Sequence, residues 1–235
     1  VKLRYWGIFG KLGGWIRSRR ATHDSVTLGV VLALAGGFLD AYTFVGHGGV
    51  FANAQTGNIV LIGVELARGR WQELFVYIPP ILAFVLGVFA AETIMKSPRL
   101  PAGLDWGRIV LVLETAILLA LGLLPPDAPD LATNVTVSFV AAIQTSAFKK
   151  LVDSPYSTTM CTGNLRSASL ALYAAVIGHD RWCAVRAGRY LLIVLVFTLG
   201  ALLGALATPL FGNRSAWAAA LLLVGALVLY ERSES

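Results

Sequence analysis

Charge is what this chain has least of. Asp, Glu, Lys and Arg make up 14 % of its 235 residues, against about 25 % in soluble domains. With 57 % hydrophobic residues and a mean hydropathy of +0.72, that shortage excludes a soluble enzyme and a disordered chain. Cysteine is nearly missing as well. Cys161 and Cys183 stand apart without any CxxC spacing, so neither a zinc ribbon nor a redox motif is indicated and both are expected as free thiols. The chain also lacks H-E-x-x-H, G-x-S-x-G and a phosphate-binding G-K-[ST] loop. The expectation is a protein that is not an enzyme and takes neither metal nor organic cofactor.

What is present in quantity is long apolar sequence. Strong runs cover residues 27–45, 74–95, 109–124, 131–148, 190–210 and 217–230; two weaker ones, 50–67 and 158–177, are polar in their first half and apolar in their second. A bilayer core of about 30 Å needs about 20 apolar residues per helical crossing, so the class is an all-α polytopic membrane protein whose principal partner is the lipid bilayer. The tryptophans, at 6, 15, 71, 106, 182 and 217, fall at or beyond the ends of these runs, where indole rings sit among headgroups.

The net charge of +6 is unevenly placed, with Lys2, Arg4, Lys11, Arg17, Arg19 and Arg20 crowding the start. Basic residues on a folded polar domain would suggest nucleic acid; here they precede an apolar span, so no nucleic-acid partner is expected. Residues 1–26 read instead as a basic cytoplasmic arm that sets orientation in a bacterial inner membrane. Tyr5, Phe9, Leu12 and Ile16 give it a partly amphipathic pattern.

The membrane region repeats itself, as 27–125 and 126–235. Shifting residues 36–58 by 106 positions lays them on 142–164 without gaps, so that Thr56-Gly57-Asn58 falls on Thr162-Gly163-Asn164. After a small insertion Phe84, Leu86 and Gly87 match Phe197, Leu199 and Gly200. If the T-G-N segments cross the membrane, there are eight spans in a parallel repeat. If they dip in and return, there are six full spans plus two broken or re-entrant helices in an inverted repeat. The second arrangement puts Lys96, Arg99, Arg108, Lys149 and Lys150 in the cytoplasm, as the distribution of basic residues prefers.

Glycines and β-branched residues begin the first T-G-N segment, so irregular backbone is expected before a short helix, with Thr56 or Asn58 as its N-cap. Irregular backbone at membrane depth is tolerated where it lines a cavity, and helix N-termini starting there attract polar or anionic groups. The candidate solute-binding residues are Asn53, Gln55, Thr56, Gly57, Asn58, Thr159, Thr162, Gly163 and Asn164. The competing reading is that these polar and small residues simply hold close-packed helices together. Asp40 lies deep in the first span, where an ionised carboxylate costs about 2.5–3.5 kcal/mol. It is the candidate for a coupling proton, a cation ligand or a partner of His47; the bland alternative is a structural hydrogen bond, for example to Gln144. Glu114 reads as a similar acid nearer a span end. Gly200 and Gly204 form a GxxxG pair suited to a contact between copies or to packing within the chain.

The stretch Gly36-Gly37-Phe38-Leu39-Asp40-Ala41-Tyr42, followed by Gly48-Gly49-Val50-Phe51-Ala52-Asn53 and by both T-G-N triplets, resembles the signature of the YoaK-like bacterial integral membrane proteins. The resemblance covers residues 27–230. That family is described as a domain of unknown function, so the resemblance implies membrane class and motif and no substrate. The functional expectation is a transporter or channel for a small polar or anionic solute, with a site at the repeat interface. A non-transporting membrane scaffold or regulator is the alternative.

Overall fold

The computed structural model describes residues 26–96, 105–148, 150–151, 154–155 and 161–232. The basic arm lies outside them. Among the described residues eight α-helices follow one another: α1 (Val26–Gly46), α2 (Gln55–Ala67), α3 (Leu74–Met95), α4 (Trp106–Leu121), α5 (Asp130–Ala147), α6 (Cys161–Ile177), α7 (Arg181–Phe211) and α8 (Ala216–Arg232). A two-residue antiparallel ladder, Lys150–Leu151 against Ser154–Pro155, sits between α5 and α6. Each strong apolar run coincides with one long helix, and the two weaker runs end in α2 and α6. Val26–Gly46, Trp71–Met95 and Arg181–Glu231 are long and apolar enough to cross a membrane by length and composition.

Local chemistry explains several boundaries. The Asp105 carboxylate accepts from Gly107 N–H at 2.9 Å and starts α4, and Asp180 accepts from Trp182 N–H at 2.8 Å and starts α7. These carboxylates occupy positions where backbone donors have no intrahelical partner. Cys183 Sγ also donates to Asp180. That bond, followed by the backbone N–H groups of Trp182 and Cys183, holds the Asp180 carboxyl below its usual value.

Helix packing is set by glycine. A Cβ at Gly37 would run into the Phe197 carbonyl, one at Gly200 into the Leu34 carbonyl and one at Gly204 into the Phe38 carbonyl. The α1 and α7 backbones therefore meet directly, and the residue numbers rise together along both helices. Gly200 and Gly204, the candidate contact between copies, are thus occupied inside the chain. On the other side α3 packs on α5, where Gly87 faces the Phe139 carbonyl and the Ala142 methyl. Further contacts join α2 to α3, α6 to α7, α4 to α8, α1 to α8 and α4 to α5.

Two ends of the bundle can be followed through named contacts. At one end His47 Nδ1 meets Asp130 Oδ1 at 2.8 Å, and Asn134 Nδ2 donates to the His47 carbonyl. There Gly48 lies near Val76 and Asp130, while Asn213 donates to the Pro125 carbonyl. At the other end Tyr230 Oη donates to Asp105 at 2.6 Å and Arg108 pairs with Glu231. So α1, α4 and α7 run toward the His47 end, and α3, α5 and α8 run away from it.

The surface is inverted relative to a soluble protein. Phe75, Phe89, Leu195 and Leu210 are exposed, whereas Asp40, Asn58, Glu114 and Gln144 are buried. Continuous apolar exposure of this kind marks a surface that meets something other than water.

Candidate functional site

The site starts from one face of α1 carrying Gly36, Asp40 and Thr43, spaced so that they share a helix side, with His47 in the turn just beyond it. Beyond Gly46 the chain reverses at Gly48 and Gly49, whose φ values of 75° and 73° lie in the region that glycine enters freely. It then runs back along that face. Thr43 Oγ1 accepts from Ala52 N–H at 3.3 Å. Asp40 Oδ1 accepts from Asn53 N–H at 2.8 Å, and Asn53 Nδ2 donates to the Gly36 carbonyl at 2.8 Å. Since Gly36 is near the middle of α1, the returning strand reaches mid-helix depth before α2 begins.

The beginning of α2 differs from expectation. The helix starts at Gln55, with Ala54 as N-cap and no side-chain cap, so the T-G-N triplet lies in its first turn and neither Thr56 nor Asn58 caps it. The reason is that Asn58 is committed to the preceding loop. Its Oδ1 accepts from Phe51 N–H at 3.0 Å, and its Nδ2 donates to the Phe51 carbonyl at 2.7 Å and to Gln55 Oε1 at 2.9 Å. Gly57 completes the clamp, because a Cβ there would collide with the Phe51 ring. In place of a local cap, the Asp40 carboxyl brings negative character to the approach of α2 from a different helix.

A cavity of about 800 Å³ opens where this loop meets α6 and α7. Its wall includes Asp40, Asn53, Gln55 and Thr56 from the first half, and Cys161, Thr162 and Gly163 from the second. The starts of α2 and α6 thus meet in one cavity. Of the residues expected to line a site, Gly57, Asn58 and Asn164 are not part of the wall; Asn58 and Asn164 are buried behind it. Thr159 lies outside the described residues. The two glycines of the triplets do different things: Gly57 is covered by Phe51, while nothing among the described residues stands within 4 Å of a Cβ at Gly163.

Polarity was the search criterion in the sequence, and it missed the aromatic half of the wall. Phe44, Phe51, Phe84 and Phe197 all line the cavity, with Phe44 and Phe51 stacked at 4.6 Å. Phe84 and Phe197 had a sequence signal, being matched positions of the two halves. Asp40 touches neither of its expected partners: His47 pairs with Asp130. Glu114 is also more central than its sequence position suggested. It lies within the middle turns of α4, 2 % exposed, and neither carboxyl oxygen has a hydrogen-bond partner. A second cavity of about 640 Å³ lies at the His47 end, between Pro125, Arg214 and Trp217.

A family model described as "Protein of unknown function (DUF1275)" matches residues 28–229. The UPF0700 transmembrane protein YoaK of Bacillus subtilis (strain 168) is 26 % identical over 211 residues, covering 86 % of this chain and 92 % of YoaK. No solved structure matches. This chain belongs to the DUF1275 family and is a membrane protein related to YoaK.

Proposed function

We propose that this DUF1275 protein carries a small polar solute across the bacterial inner membrane, through the cavity where α2 and α6 begin. The observation that carries the reading is that two helix starts from different halves of the chain line one cavity together with Asp40. Discontinuous helices meeting near mid-depth are a recurrent way of building a solute site in a bilayer.

The chain path supports six crossings and two re-entrant segments. At 13 residues α2 is about 20 Å long, short of the ~30 Å hydrocarbon core. It follows the end of α1 and precedes α3, whose Val76 lies beside Gly48 at that same end. Segment 47–73 therefore reads as a dip to mid-depth and back. By the same reasoning α5 ends, and α7 begins, at the opposite end, so α6 dips from the other side. Corresponding helices run in opposite directions, as an inverted repeat requires. The contacts α1–α7 and α3–α5 exchange when the halves are exchanged. The sequence-matched glycines Gly87 and Gly200 likewise face carbonyls of α5 and α1. Lys96, Arg108 and Arg181 gather toward the Asp105 end, which makes that end cytoplasmic by charge and the N-terminus with it.

The anion-attracting character expected of paired helix starts is weakened by Asp40, so a neutral or cationic polar solute fits the cavity better than an anion. The scaffold alternative calls for a dry interior.

Single cysteines, Gly69→Cys, Gly178→Cys and Thr162→Cys, in a Cys161→Ser/Cys183→Ser background separate these readings. Intact cells are treated with a membrane-impermeant thiol reagent. The transport reading expects Gly69→Cys to label from outside, Gly178→Cys only after lysis, and Thr162→Cys to label from at least one side. Labelling of Gly69→Cys and Gly178→Cys from the same side overturns the inverted repeat. A Thr162→Cys thiol that stays unreactive from both sides in a folded protein favours the scaffold.

A further inference from the structure

The cavity wall has a chemical bias beyond being polar. Among the described residues that line it, Asp40 is the only charged side chain, and none is basic. Asp40 is 5 % exposed, and its carboxyl is held against the Asn53 backbone. The same cavity is lined by Phe44, Phe51, Phe84 and Phe197, drawn from α1, the returning loop, α3 and α7. Neighbouring Asn53 is 3 % exposed, with an amide oxygen that lacks a hydrogen-bond donor. The remaining wall positions are mostly small: Ala41, Ala54, Gly163, Ala201 and Ala205.

We propose that this cavity binds an organic ammonium ion, a positively charged nitrogen carrying apolar substituents. The geometry meets each requirement of such a ligand. The Asp40 carboxylate provides the counter-charge, and aromatic faces attract a desolvated cation through the ring quadrupole. The small side chains leave room for alkyl or aryl groups without asking for hydrogen bonds. An anion would face the carboxylate with no basic residue among the described lining to offset it. A bare metal ion would find the oxygens of Asp40, Asn53, Gln55, Thr56 and Thr162 but no second carboxylate among the described lining, whereas an organic cation also uses the four phenyl rings. The α2 start is already served by Asp40, so the site is asymmetric: charge comes from the first half, while the second contributes the open floor at Gly163.

This inference specifies the solute class for the transport reading and rests on the same cavity, but its test is one of binding. Purified full-length protein in detergent is titrated calorimetrically with benzyltrimethylammonium, benzyl alcohol, benzoate and sodium chloride. The cation is expected to bind at least about tenfold more tightly than the alcohol, with benzoate and sodium giving no saturable heat. Asp40→Asn, which keeps an acceptor for Asn53 N–H, should lose that preference. Gly163→Leu meets no packed contact among the described residues, and should lose binding while melting like the parent. Equal binding of alcohol and cation, preferential binding of benzoate, sodium competing the cation away, or an Asp40→Asn protein that retains the preference each overturns the proposal. Proteoliposome uptake of the same cation keeps the two readings apart. Binding without uptake leaves this site standing and removes transport; uptake of another solute with no ammonium binding does the reverse.

Discussion

The Asp40 carboxyl and the backbone N–H of Asn53, 13 residues apart in the chain, are joined by a 2.8 Å hydrogen bond inside the protein. That bond fixes the depth at which the chain turns from extended loop into α2. It also positions the one acid among the described residues that line the cavity. One residue therefore serves the fold and the site together, and its substitutions should separate by what they leave for Asn53.

Asp40→Leu leaves a buried N–H without an acceptor and should cost about 1–3 kcal/mol. Asp40→Asn retains an acceptor and should lose less than half as much. Thermal unfolding of the purified protein in one detergent, followed by intrinsic fluorescence, ranks the two variants. Equal destabilisation would show that the carboxyl does not hold the loop.

Asn58 is expected to matter as a clamp rather than as a ligand. Its amide satisfies both the N–H and the carbonyl of Phe51, so Asn58→Ala strands two backbone groups and should destabilise by about 2–4 kcal/mol. Asn58→Asp keeps the acceptor and loses the donor, and should fall between. A melting temperature unchanged in Asn58→Ala would remove the clamp.

The two triplet glycines should respond differently to one added methyl. Gly57→Ala drives a Cβ into the Phe51 ring and should lose about 1–3 kcal/mol by overpacking. Gly163→Ala meets no atom of the described residues within 4 Å and should stay within about 0.5 kcal/mol of the parent. Adding Phe51→Leu to Gly57→Ala should restore part of the loss. Similar melting of the two single variants would contradict the asymmetry.

Close approach of α1 and α7 gives a fourth test. Gly204→Val places atoms against the Phe38 carbonyl, with no flexible side chain able to move aside, and should cost about 3 kcal/mol or prevent accumulation in the membrane. Gly225→Ala on α8 has open space and serves as the control, with a change of about 0.5 kcal/mol at most. Protein level in membranes and melting after extraction provide the readout.

Much of the fold was legible in the residues because a bilayer leaves few choices. Backbone groups in hydrocarbon must bond within their own segment, so apolar runs become helices, and the α3 boundaries 74–95 can be read from hydropathy alone. The glycines before the first triplet also marked where the backbone turns back after α1, at Gly48 and Gly49. The start of α2 was misplaced because its capping chemistry is tertiary. Local rules looked to Thr56 and Asn58, while the acceptor near the helix start came from Asp40 on α1.

The sequence by itself determined the membrane class, the helical segments and the residues where unusual backbone occurs, since each follows from local hydrophobicity and glycine content. Tertiary structure decided which of those residues face one another. Asn58 turned inward to Phe51, Gly200 and Gly204 closed on α1, and four phenylalanines from separate segments came to line one cavity with Asp40. Such juxtapositions depend on helix direction and on how closely backbones approach, quantities set by packing across the whole bundle rather than by any one stretch of chain.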